Sequence, residues 1–216
     1  MSAHAYSDQT LRRAPRRSAE TPRRAAARKK GAAGPSRNSL AGDFLAICEL
    51  DPAVETVRSP ATPARFAVGG RESSYVADYE IVRDGVPVLV DIATDADLAR
   101  HPLREILVGG AADAVDGRRL VVETAATLRT EPRLSTVKLV MACRHTHVSA
   151  GDRVRILHHL DECGSAPLVE CAGTVQNSMD GVAAVLALAV EGLVEIDIDR
   201  PILPETPVRR RRLAWA

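Results

Sequence analysis

Tyr75-Val-Ala-Asp-Tyr-Glu-Ile-Val-Arg83, then Asp84-Gly85, then Val86-Pro-Val-Leu-Val-Asp-Ile92, is the stretch that decides the fold. Two runs rich in β-branched and aromatic residues flank Asp-Gly, the dipeptide favoured in two-residue hairpin loops because both loop positions require positive φ. If Asp84 and Gly85 are the whole loop, Arg83 faces Val86, and counting outward puts Asp78 directly opposite Asp91. That pair falls on a non-hydrogen-bonded position, with Cα atoms roughly 4.5 Å apart. Like charges facing each other weaken a sheet unless a cation or a proton lies between them. Magnesium, or manganese in its place, takes oxygen ligands from one or two carboxylates and keeps several waters, so Asp78 and Asp91 read as a candidate metal site. A slipped register, or two acids on a solvated face of an edge hairpin, are the alternatives.

Outward from the hairpin, the pattern alternates between strand and helix. Upstream, Leu40, Phe44, Leu45, Ile47 and Cys48 predict an amphipathic helix that starts on the polar cap Asn38 and ends before Asp51-Pro52. Val54 to Arg58 and Arg65 to Val68 read as short strands. Downstream, a helix is expected from Asp95 to about Val115, a buried strand at Leu120 to Glu123, and an apolar helix at Leu134 to Cys143. From Ala150 the expectation is a helix over Val154 to Cys163, a turn at Gly164 to Pro167, a short helix over Leu168 to Val175, and a helix over Val182 to Val190. A strand at Val194 to Ile198 follows. Three helices and a strand resemble a winged helix-turn-helix module. The helix Val182 to Val190 carries no Lys or Arg, however, so it is expected to be core rather than a DNA-reading element.

The 216 residues are 45% hydrophobic and only 3% aromatic. That is enough for one sizeable core with at most a small appendage, and too few aromatic rings for a platform that stacks single-stranded bases. The net charge of +1 conceals an asymmetry. Residues 1–37 hold ten Arg or Lys against Asp8 and Glu20, and Arg209 to Arg212 add four, which leaves 15 basic against 26 acidic residues in 38–208. Residues 1–37 cannot bury enough surface to offset chain entropy and read as a disordered basic arm. Arg12, Arg13, Arg16, Arg17, Arg23, Arg24, Arg28, Lys29 and Lys30 are its candidate DNA contacts, since the acidic body repels phosphates. The expected organisation is therefore an arm at 1–37, an α/β domain at 38–148, a winged-helix-like module at 149–208 and a basic tail at 209–216.

Four cysteines without close disulfide spacing, no secretory signal and no apolar run of membrane length point to a reduced, cytoplasmic, soluble chain. Cys143 with His147, and His159 with Cys163, have helical i, i+4 spacing, but the pairs match no zinc signature. Free core cysteines and surface histidines account for them better.

The string Tyr75-Val-Ala-Asp78, the Asp-Gly hairpin and Val88-Leu-Val-Asp91-Ile-Ala93 together resemble the TnsA-like transposon-end endonucleases. The resemblance extends upstream through Ser39-Leu-Ala-Gly-Asp-Phe-Leu-Ala-Ile-Cys-Glu-Leu-Asp-Pro-Ala-Val54. Downstream it takes in Val121-Val-Glu-Thr124, Leu134-Ser-Thr-Val-Lys-Leu139 with Arg144, Glu191-Gly-Leu-Val-Glu-Ile-Asp197, and Pro201 to Val208. It implies a restriction-endonuclease-like α/β fold, a mixed sheet flanked by helices, with a PD…(D/E)xK site. It also implies Mg2+ or Mn2+ as cofactor, DNA as substrate, transposase and regulator proteins as partners, and a bacterial cytoplasm as location. Asp78 and Asp91 match the metal carboxylates and catalytic acids. The family's opening Glu falls on Gly42, its Pro on Ala77 and its Lys on Ala93, which removes the group that orients the nucleophile and one metal ligand. Glu80, two residues from Asp78, is the candidate replacement carboxylate, and Lys138, Arg100 or Arg104 the replacement cation. The expectation is a catalytically impaired member, or a non-enzymatic DNA-associated adaptor or regulator on the same fold.

Overall fold

The Asp84-Gly85 turn adopts φ of 50° and 73°, the left-handed region that Gly accepts freely and Asp tolerates. It joins β4 (Tyr79–Arg83) to β5 (Val86–Ile92) antiparallel, with Arg83 opposite Val86 and Tyr79 opposite Val90, the expected register. These strands belong to a computed structural model that describes residues 36–68, 71–100 and 117–211. β1 (Val54–Arg58) pairs antiparallel with β4, and β6 (Arg119–Glu123) pairs parallel with β5. The result is a mixed sheet in the order β1-β4-β5-β6. In β5, Leu89, Val90, Asp91 and Ile92 are all buried, as a near-continuous apolar run at the centre of a sheet requires.

One sheet face, carrying Tyr79, Ile81, Val90 and Ile92, joins the main core with α1 (Arg37–Leu50). Leu40, Phe44, Ile47 and Cys48 recur at helical spacing and are buried, and the Phe44 ring lies 5.1 Å from that of Tyr79, centroid to centroid. The helix begins earlier than its pattern predicts. Ser36, not Asn38, is the cap, its hydroxyl accepting from the Ser39 amide at 3.3 Å. Arg37, grouped with the arm by charge, is thus the first helical residue.

The opposite face carries Leu89 and Leu120, packed with Ala61, Ala64 and Ala77 and partly covered by Tyr75. Here the expectation of one continuous strand from Tyr75 to Arg83 is corrected. Tyr75 ends β3 (Arg71–Tyr75), which pairs with β2 (Ala64–Val68) in a separate two-stranded sheet. The chain leaves the strand path over residues 76–78, where the Ala77 carbonyl accepts from the Ala61 amide at 3.1 Å.

After β5, α2 (Asp95–Arg100) starts on reciprocal bonds between Thr94 and Asp97. The rest of the helix expected to reach Val115, Arg104 included, lies outside the described residues. α3 (Ala125–Leu128) follows β6, and α4 (Arg133–Ala142) packs on α1. The remainder comprises α5 (Ala150–Cys163), α6 (Leu168–Gly173) and α7 (Gly181–Val190), with β7 (Ser165–Pro167), β8 (Val194–Ile196) and β9 (Pro207–Arg210) in the order β7-β9-β8. Three readings change here. α5 starts at Ala150 rather than Val154 because Ser149 caps it, accepting from the Asp152 amide at 3.1 Å. The turn predicted at Gly164 to Pro167 is largely strand. Arg209 and Arg210, expected in a tail, end β9, and Arg210 pairs with Asp161.

Residues 184–189 of α7 are buried all round, so this helix is core, as its lack of charge predicts. It packs against α6, α4, α1 and β8. Its first residue must be small, because a Cβ at Gly181 would lie 2.5 Å from the Ala172 carbonyl oxygen. The buried cluster runs through residues on both sides of position 149. Mixed α/β with a mixed sheet flanked by helices is therefore the architecture, and no described helix is long and apolar enough to cross a membrane.

One buried carboxylate organises the C-terminal part. Asp152, fully buried, accepts from the Ser149 hydroxyl at 2.9 Å, Arg155 at 2.5 Å, the Gln176 and Asn177 amides at 2.8 and 3.2 Å, and the Ser178 hydroxyl at 3.0 Å. Burial pushes its carboxyl upward, but these donors, led by the Gln176 amide and Arg155, outweigh it and hold the group far below the ordinary range. The loop between α6 and α7 is thereby tied to the first turn of α5.

Candidate functional site

Asp78 and Asp91 come together as the hairpin register requires, one step beyond the Tyr79–Val90 pair. A continued ladder would pair the Ile92 amide with Ala77. Because residue 77 has turned toward Ala61, the Ile92 amide donates instead to Asp78 Oδ2 at 2.9 Å. The Asp78 amide donates in return to Asp91 Oδ1 at 3.1 Å. Each carboxylate thus accepts from the backbone of the other's strand, and the pair closes the open end of the ladder.

The remaining acceptor sites are also engaged. The Tyr75 hydroxyl donates to Asp91 Oδ2. Arg37 Nη2 donates to both oxygens of Asp78, at 2.6 and 2.5 Å. Asp91 is 2% exposed, the Asp78 side chain 29% and the Arg37 side chain 53%, so the cluster grades from a buried carboxylate to a half-exposed cation. Burial raises the Asp91 carboxyl above its ordinary range and the Asp78 charge adds to this, while Tyr75 and the Asp78 amide oppose it. Burial, the bond to Asp91 and the two negative charges push the Tyr75 hydroxyl up strongly. The bond to Asp78 raises Arg37 in the same way. Tyr75 therefore stays a donor and Arg37 a cation throughout the neutral range.

The expected Mg2+ or Mn2+ does not fit this arrangement. Such an ion needs carboxylate oxygens with free directions and room for its waters. Here all four oxygens already accept, and the positive charge on the pair is the guanidinium. Among the described residues, no three His, Cys, Asp or Glu side chains form a group able to hold a metal ion.

The proposed substitutes do not complete the pair. Glu80 accepts from the Thr62 amide at 3.0 Å and pairs with Arg118 at 3.3 Å. The Thr62 bonds, ahead of Arg118, hold its carboxyl below the ordinary range. Lys138 is exposed on α4, Arg100 is exposed on α2, and Arg104 lies outside the described residues. Ala93 is buried, its amide spent on the Glu123 carbonyl at 2.9 Å. Gly42 is exposed with open space around it, and five residues after Arg37 it sits about 140° round α1 from the residue that reaches Asp78.

Arg37 and Tyr75 are the partners that the sequence alone does not reveal. Arg37 lies 41 residues from Asp78 at the edge of a basic run, and Tyr75 reads as strand. The only local signal for Arg37 is Ser36, a cap residue that would start the helix early. Of the weaker candidates, Cys163 Sγ lies 3.9 Å from His159 Nδ1, while Cys143 Sγ points to the Leu139 carbonyl at 3.8 Å. The cysteines are not all core: Cys48 and Cys171 are buried, Cys143 is half-buried and Cys163 exposed. The nine arm residues from Arg12 to Lys30 lie outside the described residues.

Compared with known proteins, the chain matches no protein-family model and no curated protein.

Proposed function

We propose that this chain is a TnsA-like subunit of a heteromeric DNA transposition system in a bacterial cytoplasm. Its restriction-endonuclease-like core would be impaired in metal-dependent strand cleavage at element ends and act as a DNA-associated partner of transposase and regulator proteins. The observation that carries this reading is the meeting of Asp78 and Asp91 at the end of the β4–β5 hairpin in a central mixed sheet. Impairment is supported by the same cluster. The positions matching the family's Glu and Lys are Gly42 and Ala93, and Arg37 occupies the carboxylates. The C-terminal helices and small sheet fit a winged-helix-like module used for protein docking, since its last helix is core and offers DNA no contact.

The second reading, a non-enzymatic adaptor or regulator on the same fold, is favoured by the self-contained bonding of the pair. A nicking assay on supercoiled DNA with magnesium or manganese, with the transposase partner added, tests the proposal. Wild type is expected to be inert. Gly42→Glu and Ala93→Lys singly should change nothing, because groups that act as a unit are not restored one at a time. Robust metal-dependent nicking by wild type, lost in Asp78→Ala, would overturn the impaired reading. Failure of the chain to associate with DNA or with a transposase would overturn both.

A further inference from the structure

β1 is an edge of the main sheet. Among the described residues it pairs with β4 alone, so its other side is an open strand edge. A groove of about 480 Å³ runs beside that edge, between β1, α1 and the C-terminal end of α7. Leu45 of α1 and Val57 of β1 line it and are 41% and 40% exposed, whereas their neighbours Phe44 and Val54 are buried. Half-buried Val190 flanks them. Aliphatic side chains open to water beside an unpaired strand form a surface that natural sheets cover.

The chain itself supplies a cover of matching chemistry. Arg211 follows β9, its amide donating to the Leu193 carbonyl at 3.0 Å, and it lines the same groove. The residues that come next, outside the described ones, read Arg212-Leu-Ala-Trp-Ala216. In an extended segment Leu213 and Trp215 project to one face. Five extended residues span about 17 Å, which puts both side chains within reach of the groove that Arg211 lines. Charge agrees with this. Glu49, Glu55 and Glu191 line the groove against Arg211, and Arg212 adds a second positive charge. Arg144 pairs with Glu49 and Arg153 with Glu191, so the acid open to Arg212 is exposed Glu55 of β1, whose Oε1 accepts from the Gly85 amide at 2.7 Å.

We infer that residues 212–216 dock in this groove beside β1 of the same chain, with Leu213 and Trp215 against Leu45 and Val57. So short a link holds the two side chains at millimolar effective concentration, which a second copy or a separate partner must exceed to displace them. Backbone added to a sheet edge, with alternate side chains seated beside it, is the established way in which a sheet takes up an extended segment. The inference goes beyond the proposed function and needs neither DNA nor a transposase.

Trp215 is the only tryptophan of the chain, so its fluorescence reports on the segment alone. In the full chain the indole is expected to emit at shorter wavelength than in the denaturant-unfolded chain, and acrylamide should quench it several-fold less. Leu45→Glu and Val57→Glu, each checked for folding by circular dichroism, should move both readings toward the unfolded values. Val169→Glu, at an exposed position of α6 outside the groove, should leave them unchanged. A solvated indole in the folded wild type overturns the inference, and so does a shielded indole that neither groove variant moves. Shielding that fades on dilution assigns the groove to the segment of a second copy and overturns docking within one chain. A second measurement decides if the groove variants do not fold. Deleting residues 213–216 should speed deuterium exchange at the amides of 55–58 while those of α5 keep their protection, and unchanged exchange at 55–58 overturns the inference.

Discussion

At Asp91, burial and hydrogen bonding pull in opposite directions, and burial wins. The carboxyl is raised above its ordinary range chiefly because it is 2% exposed, despite the Tyr75 hydroxyl and the Asp78 amide. The folded chain therefore keeps this proton at pH values where the unfolded chain has released it. Between the ordinary carboxylate pKa and the raised folded value the folded state binds more protons, so this group's contribution to stability falls as pH rises through that window and is level above it. Subtracting the denaturant-unfolding profile of Asp91→Asn from that of wild type should expose this falling limb, and parallel profiles would rule it out. Tyr75→Phe removes the hydroxyl that donates to Asp91 Oδ2. It is expected to cost about 1–3 kcal/mol, the penalty for stranding a buried acceptor, read from the same unfolding curves.

Among the elements, α5 and the loop leading into α7 depend on Asp152. Its carboxyl is held far below the ordinary range by the Gln176 amide, Arg155 and their neighbours, which prevail over burial. The sign is opposite to that at Asp91. The stabilisation is fully present above the ordinary carboxylate pKa and is lost only as pH falls through the depressed folded value. Asp152→Asn leaves a single neutral acceptor for five donor groups. The amides of Gln176 and Asn177 should then exchange with deuterium markedly faster, while those of α1 and β5 keep their protection. Unchanged exchange at 176 and 177 would show that the loop is held by other contacts. The 150–163 helix itself is legible in the sequence from its apolar spacing, but its true start depends on Ser149 and on a buried acid whose partners lie about two dozen residues further on.

For the molecule as a whole, charge is segregated along the chain. The body from 38 to 208 has 15 basic and 26 acidic residues, and residues 1–37 hold ten basic ones. Much of the body's positive charge is also spent internally: Arg83 and Arg133 on Asp51, Arg118 on Glu80, Arg129 on Asp43, Arg144 on Glu49, Arg153 on Glu191. Long-range attraction to a polyanion is therefore expected mainly from the basic ends, residues 1–37 with ten basic side chains and Arg209 to Arg212 with four. Removing residues 1–35, which spares the Ser36 cap and Arg37, should weaken nonspecific duplex binding and flatten its dependence on salt, because counterion release scales with the phosphates neutralised. Fluorescence anisotropy at several salt concentrations measures both. Binding and salt slope that survive the deletion would assign DNA contact to the body or to Arg209 to Arg212.

The sequence by itself determined what local chemistry can determine. Asp84-Gly85 dictates a two-residue turn, the turn dictates the register, and the register forces Asp78 against Asp91. Apolar spacing likewise specifies α1, and the all-apolar run of 182–190 specifies a core helix. Tertiary structure decided what these carboxylates touch. The break at residues 76–78 turns Tyr75 out of β4 into a second sheet, and an early helix cap brings Arg37 over Asp78. Neither leaves a periodic signature, because a contact between residues 41 apart depends on where two elements meet in space, and backbone periodicity reports only on the element that carries it.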